Sequence, residues 1–127
     1  MSYAVSEIGK VIKARINSIV PVFPSVAPQN TSAPYCVYSI LSVDVDDTKD
    51  DTSWADTATI LLVVYEDTYN AASTRANSIR TALDGFHGTS GGVYVDSVCF
   101  VTESDDYDDE LRKYIKIQEY TFRTLNT

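Results

Sequence analysis

The chain has 127 residues, enough for one domain with a core that needs no disulfide or metal staple. Hydrophobic residues make up 44% and charged residues 22%, which excludes a disordered chain. The formal net charge is −8 and the sequence pI about 4.4, which argues against direct binding to a DNA backbone or an anionic membrane surface.

The N-terminal MSYAVSEIGK lacks a basic start and a long apolar core, so no export signal is expected, and no run approaches a membrane span. The expectation is a protein made and folded in a cytoplasm. Residues Ser2 to Val20 read as the first helix. Ile8, Val11, Ile12, Ile16 and Ile19 fall on one stripe, with Glu7, Lys10, Lys13 and Arg15 off it. Pro21 and Pro24 end it. Val22 to Ala33 reads as irregular.

Pro34 to Val45 is the first predicted strand. Tyr35, Val37, Leu41, Val43 and Val45 share one parity; Cys36, Tyr38 and Ile40 share the other. An acidic loop, Asp44 to Thr52, leads to the stretch that organises the chain, Trp54 to Phe86. There Ile60 to Tyr65 are apolar without a break, which predicts a strand covered on both faces. Asp67 or Thr68 can cap a helix. Ala72, Ala76, Ile79 and Leu83 form its buried stripe, and Gly85 stands where a left-handed residue closes it. Such a strand–helix unit implies a return strand in the same sheet by a right-handed crossover.

His87 to Gly92 (HGTSGG) reads as a flexible turn and Val93 to Glu103 as the third strand. A second acidic loop, Glu103 to Glu110 (ESDDYDDE), precedes the fourth strand, Arg112 to Thr124. That last strand has a parity fault: Ile115 and Ile117 share one face, Tyr120 and Phe122 the other. Either both faces are covered, or a bulge near Gln118-Glu119 resets the register.

The expected fold is a single α+β domain over residues 1–127, of order α-β-β-α-β-β. It is a permuted ferredoxin-like arrangement: a four-stranded mixed or antiparallel sheet, ordered 3-4-2-1, with two helices on one face. Two helices cover one face only, yet several strands carry apolar residues on both. Leu61, Val63 and Tyr65 are therefore expected in an oligomer interface.

Catalytic chemistry has no foothold. His87, the only histidine, sits in a glycine-flanked turn with no partner at a metal-ligand spacing. There is no G-x-S-x-G, P-loop or H-E-x-x-H. The run from Asp44 departs from a calcium loop at its sixth position, Lys49, and its twelfth, Ala55. It reads as a solvated charge run, so no cofactor or metal is expected. Cys36 and Cys99 read as small buried hydrophobes, with a disulfide open if their strands are neighbours. The acidic candidates are Asp46, Asp47, Asp50 and Asp51 in the first loop and Asp105, Asp106, Asp108 and Asp109 in the second. Repeated around a ring, such charge would line a channel that repels DNA phosphates.

Several segments together resemble a known family. They are Val22-Phe23-Pro24 and Ala27-Pro28-Gln29 leading into Ala33-Pro34-Tyr35-Cys36-Val37-Tyr38, then Val63-Val64-Tyr65, the helix close Ile79-Arg80-Thr81-Ala82-Leu83-Asp84-Gly85-Phe86, and a final strand after an acidic stretch. The pattern resembles the tail-completion or tail-terminator proteins of long-tailed bacteriophages and prophages, over most of the chain. The resemblance implies an α+β protomer, without enzymatic activity, that forms a ring, typically a hexamer, at the head-proximal end of the tail in the virion. Such a ring ends tail-tube growth and docks head-neck proteins, and DNA passes through its lumen. Its partners would be itself, the tail-tube protein and a neck connector or stopper, with DNA as a passenger. Family members often carry polar residues at the positions of Leu61 and Val63, and both are apolar here. The competing reading is an oligomeric ferredoxin-like module that binds a small regulatory ligand, for which Thr57, Thr59 and Gln118 are the polar candidates.

Overall fold

The computed structural model describes residues 4–28, 31–46 and 55–125. A 3-10 turn, Ala4–Glu7, leads into helix α1, Ile8–Ile16, whose Ile8, Val11, Ile12 and Ile16 are fully buried. The helix stops short of the expected Val20. Asn17 and Ser18 follow it, and such side chains compete for backbone hydrogen bonds. Ile19 and Val20 N–H then both donate to the Ile16 carbonyl in a turn.

Strands β1 (Val22–Pro24), β2 (Tyr35–Asp46) and β3 (Ala55–Glu66) follow. Helix α2 is Tyr69–Leu83, then β4 (Gly88–Ser90), β5 (Val93–Val95), β6 (Ser97–Asp108) and β7 (Lys113–Leu125). The main sheet is ordered β1-β2-β3-β7-β6, and β4-β5 form a second, two-stranded sheet. β1 runs parallel to β2; the other three neighbouring pairs are antiparallel. The expected four-stranded sheet is thus corrected to five strands plus a hairpin. The extra edge strand comes from the segment read as irregular, because Val22 is buried in the core and pins its neighbours beside β2. The turn HGTSGG is also structured: Gly88, Thr89 and Ser90 pair with Val95, Tyr94 and Val93. That pairing removes 93–95 from the expected third strand, and Asp96 marks the break. Its N–H donates to the Arg123 carbonyl, and its carboxylate accepts from the Arg123 guanidinium at 2.5 Å.

The strand–helix unit forms as its residues dictate. Thr68 Oγ1 accepts from Ala71 N–H at 3.1 Å, so Thr68 is the cap, not Asp67. Ala72, Ala76, Ile79 and Leu83 are buried, and Gly85 has φ +80°. The Gly85 N–H donates to the Val98 carbonyl, which hands the chain toward β6. β3 and β6 both run antiparallel to β7, so they are parallel to each other with β7 between them.

Both helices pack on one face of the main sheet, over Cys36, Ile60, Leu62, Val64, Tyr120 and Phe122. β3 pairs with β7 without a register shift from Ala55↔Leu125 to Glu66↔Tyr114. Of the two alternatives for the parity fault, the bulge near Gln118-Glu119 is not found in β7. The parity fault dissolves because the helix face continues through polar residues: Lys116, Gln118, Tyr120, Phe122 and Thr124 are all buried. The bulges fall on the neighbours instead, at Leu41 in β2 and Val101 in β6. The first moves Val43 and Val45 to the parity of Ile40, because Ile40 pairs with Ile60 and Val43 with Ala58.

Candidate functional site

Among the described residues, no helix lies on the opposite sheet face. Leu61, Val63 and Tyr65 project there from β3. Their direct neighbours are Ser39, Val37 and Tyr35 on β2, and Glu119, Ile117 and Ile115 on β7. Val37, Val63 and Ile117 make an apolar row across three strands, and Tyr35, Tyr65 and Ile115 make a second. The Tyr35 and Tyr65 rings stack, with centroids 4.6 Å apart and planes 16° from parallel. Burial raises both phenol pKa values, with the charge of Lys113 acting against this at Tyr35.

These residues are less open than the sequence implies. Leu61, Val63 and Tyr65 are half-buried, and Tyr35, Val37 and Ile115 are buried. Neighbouring strands shield the middle of the band. At its Tyr35–Tyr65 end, Val26, Ala27 and Pro28 and the turn residue Leu111 rim a hollow of about 540 Å³ floored by Tyr35, Val37 and Tyr65. Val26 and Leu111 are themselves 74% and 50% exposed, so the rim carries apolar surface into solvent.

The acidic candidates divide. Asp47, Asp50 and Asp51 and the side chain of Asp46 lie outside the described residues, as does most of the calcium-like run. Asp105, Asp106 and Asp108 do not sit in a loop: β6 runs through them, paired with Lys116, Ile115 and Lys113 of β7. Only Asp109, with Glu110, Leu111 and Arg112, is in the turn. The like charge that predicts a solvated loop is offset from across the hairpin. Lys116 Nζ donates to Asp105 Oδ1 at 2.5 Å and lies 3.8 Å from Glu103. Tyr69 Oη also donates to Asp105, at 2.8 Å. The hydrogen bond from Lys116 holds the Asp105 carboxyl below its ordinary range, and the same bond raises the ammonium.

Sequence reasoning missed the polar group under the hairpin. Gln118, fully buried, donates to the Ala76 carbonyl at 3.0 Å and to Glu103 at 2.8 Å, and its Oε1 accepts from Tyr120 Oη at 2.9 Å. Lys116-x-Gln118-x-Tyr120-x-Phe122 is a period-two pattern, and that was the available signal. Gln118 therefore faces the helices, while Thr57 and Thr59 lie on the opposite parity shared with Leu61. The three polar candidates for a ligand site are not brought together.

Cys36 and Cys99 are both free, and β3 and β7 separate their strands. Cys36 is buried as expected, and desolvation pushes its thiol to about 12. Cys99 is exposed, on the open-face parity of β6, contrary to expectation. His87 is exposed in the segment before β4. Among the described residues, no group of three or more His, Cys, Asp or Glu is placed to hold a metal.

No family model matches the sequence, and no curated protein matches it. A solved structure does. A chain in the structure described as the virion of a native gene transfer agent (GTA) particle aligns over 98% of this chain and 100% of its own length. The TM-score is 0.67 at 18% sequence identity. This chain shares its fold with a virion component.

Proposed function

We propose that the protein is a non-enzymatic virion structural component. It forms a ring, of about six subunits on the family resemblance, at the head-proximal end of a phage-type tail. There it ends tail-tube growth and joins the tube to head-neck proteins. The observation that carries the reading is the end-to-end likeness to a chain of a virion particle. The unhelixed sheet face supports it, because Leu61 and Val63 present apolar surface that a second subunit can cover. In this reading the β2–β3 hairpin faces the lumen: Asp44 is exposed and has no ion-pair partner among the described residues, whereas Asp105 is engaged by Lys116. An acidic wall repels passing DNA phosphates and keeps them from sticking.

The ligand-module reading loses ground because Gln118 is spent on the core and does not converge with Thr57 and Thr59. Light scattering with negative-stain imaging of the same peak tests the proposal. Rings with an open centre are expected. A two-fold dimer that is stabilised by a small metabolite would overturn it.

A further inference from the structure

Beyond the open face at Leu61 and Val63, the ring reading leaves open which other surfaces join one subunit to the next. The two outer edges of the main sheet are unlike. β1 covers β2 only at Cys36, Val37 and Tyr38, so from Ser39 onward β2 is itself the edge. Between that edge and α1 lies a groove of about 470 Å³, lined by Gly9, Lys10, Lys13, Tyr38 and Ile40 among others. Ile40 is 45% exposed beside it. Gly9 keeps the groove floor close, because a Cβ there would stand 2.2 Å from Tyr38 Oη.

The charge of this groove is unusual for the molecule. Arg75, Arg80, Lys113, Lys116 and Arg123 each pair with a carboxylate. Beside the groove, Lys10 likewise pairs with Glu7 at 2.8 Å, but Lys13 has no partner among the described residues, and Arg15 is held by the Ala82 carbonyl and the Phe86 ring rather than by an acid. An acidic protein thus carries a net-positive groove.

Over the Tyr35–Tyr65 end of the open face, the β6–β7 turn offers the complement. Asp109 and Glu110 are exposed there, and Leu111 is 50% and Tyr107 43% exposed. Arg112 and Lys113 follow; Lys113 is engaged by Asp67, and the two carboxylates outnumber the exposed Arg112, so the turn is net negative.

Building on the ring reading, we infer that the β6–β7 turn of one copy seats in the α1–β2 groove of the next, carboxylates toward Lys10 and Lys13 and Leu111 toward Ile40. Donor and acceptor are different surfaces of the protomer: the turn lies over the open face, and the groove lies beside α1 on the helix side of β2. The contact is therefore heterologous, and repetition closes a ring or extends a filament instead of making a two-fold dimer. Both surfaces pair an apolar side chain with a net charge, positive in the groove and negative on the turn, which fixes register as well as attraction.

A charge swap tests it. Lys10→Glu with Lys13→Glu makes an acidic groove beside an acidic turn; Asp109→Lys with Glu110→Lys makes a basic turn beside a basic groove. All four positions are exposed, so both variants should fold, which circular dichroism checks. Each variant alone is expected to stay dissociated at a concentration where the wild type assembles. Their equimolar mixture should regain large assemblies, because every contact then alternates acid with base. Rings persisting in either variant, or a mixture no heavier than its components, overturn the contact while leaving the ring reading intact. A wild type that never forms rings overturns the ring reading instead. The contact is then still decided by whether the mixture exceeds both variants in mass.

Discussion

Lys116 and Asp105 face each other across the β6–β7 hairpin, Nζ to Oδ1 at 2.5 Å, with the lysine side chain 7% exposed and the aspartate 47%. The lysine ammonium also lies 4.8 Å from the centre of the Tyr69 ring. One buried cation therefore fastens an acidic strand to the first turn of α2. That contact explains how β6 remains a strand through Glu103, Asp105, Asp106 and Asp108.

Its pH dependence has a definite sign. Lys116 lowers the folded pKa of Asp105, so the pair stabilises the fold above the ordinary aspartate value of about 3.9 and the contribution is lost as pH falls through the lower folded value. On the alkaline side, the raised Lys116 value keeps the contribution intact up to about pH 10, beyond which it is lost as pH climbs through the folded value. Asp105→Asn should be less stable than wild type in urea at pH 7, with the difference shrinking as the pH falls below the ordinary aspartate value of about 3.9. A difference that stays constant across that range means the carboxylate charge contributes nothing.

Gln118 makes a sharper prediction, because it is fully buried and every polar arm has a partner. Gln118→Leu strips Tyr120 Oη of its acceptor, and burial already disfavours ionisation of that phenol. Leaving a buried hydroxyl unpaired costs about 1–3 kcal/mol. Adding Tyr120→Phe should restore part of the loss, since the orphaned hydroxyl is then gone. Urea unfolding of the two variants measures this; an additive double variant would show that the pair is not coupled.

These two residues also mark where the sequence stops being legible. Tyr120 and Phe122 announce a buried face, but Lys116 and Gln118 carry it on in polar dress, and hydrophobic periodicity is blind to that. The acidic segment misled for the same reason: Asp105 reads as solvated until its cross-strand Lys116 is known, and strand pairing is non-local. Thr68 and Gly85 were readable because caps are local chemistry. β1 was not, since a three-residue strand owes its existence to Val22 being drawn into a core assembled from distant segments. On the open face, Leu61, Val63 and Tyr65 do share one side as the pattern implies, but their half-burial depends on Tyr35, Val37, Ile115 and the rim at Val26.

The helix-side core should behave as ordinary packing. Ile79 and Leu83 are fully buried on α2, in the cluster with Ile60, Leu62 and Phe122. Ile79→Ala or Leu83→Ala should cost about 2–5 kcal/mol, the transfer loss plus the cavity left behind. Chemical denaturation of the isolated protomer checks the value. A cost under about 1 kcal/mol would mean that α2 is loosely docked.

The open face separates folding from assembly. Leu61 and Val63 are half-buried, in contrast to Ile60, Leu62 and Val64 at 0% exposure on the same strand. A carboxylate at 61 or 63 can keep part of its hydration in a lone protomer, but a subunit covering this face would strip it. Leu61→Asp and Val63→Asp should therefore remain folded by circular dichroism and lose self-association by sedimentation velocity. Ile60→Asp, one residue away and on the helix face, should unfold the protomer outright. If Leu61→Asp unfolds as Ile60→Asp does, the band is intramolecular core. If it folds and still assembles, the subunit contact lies elsewhere on the protomer.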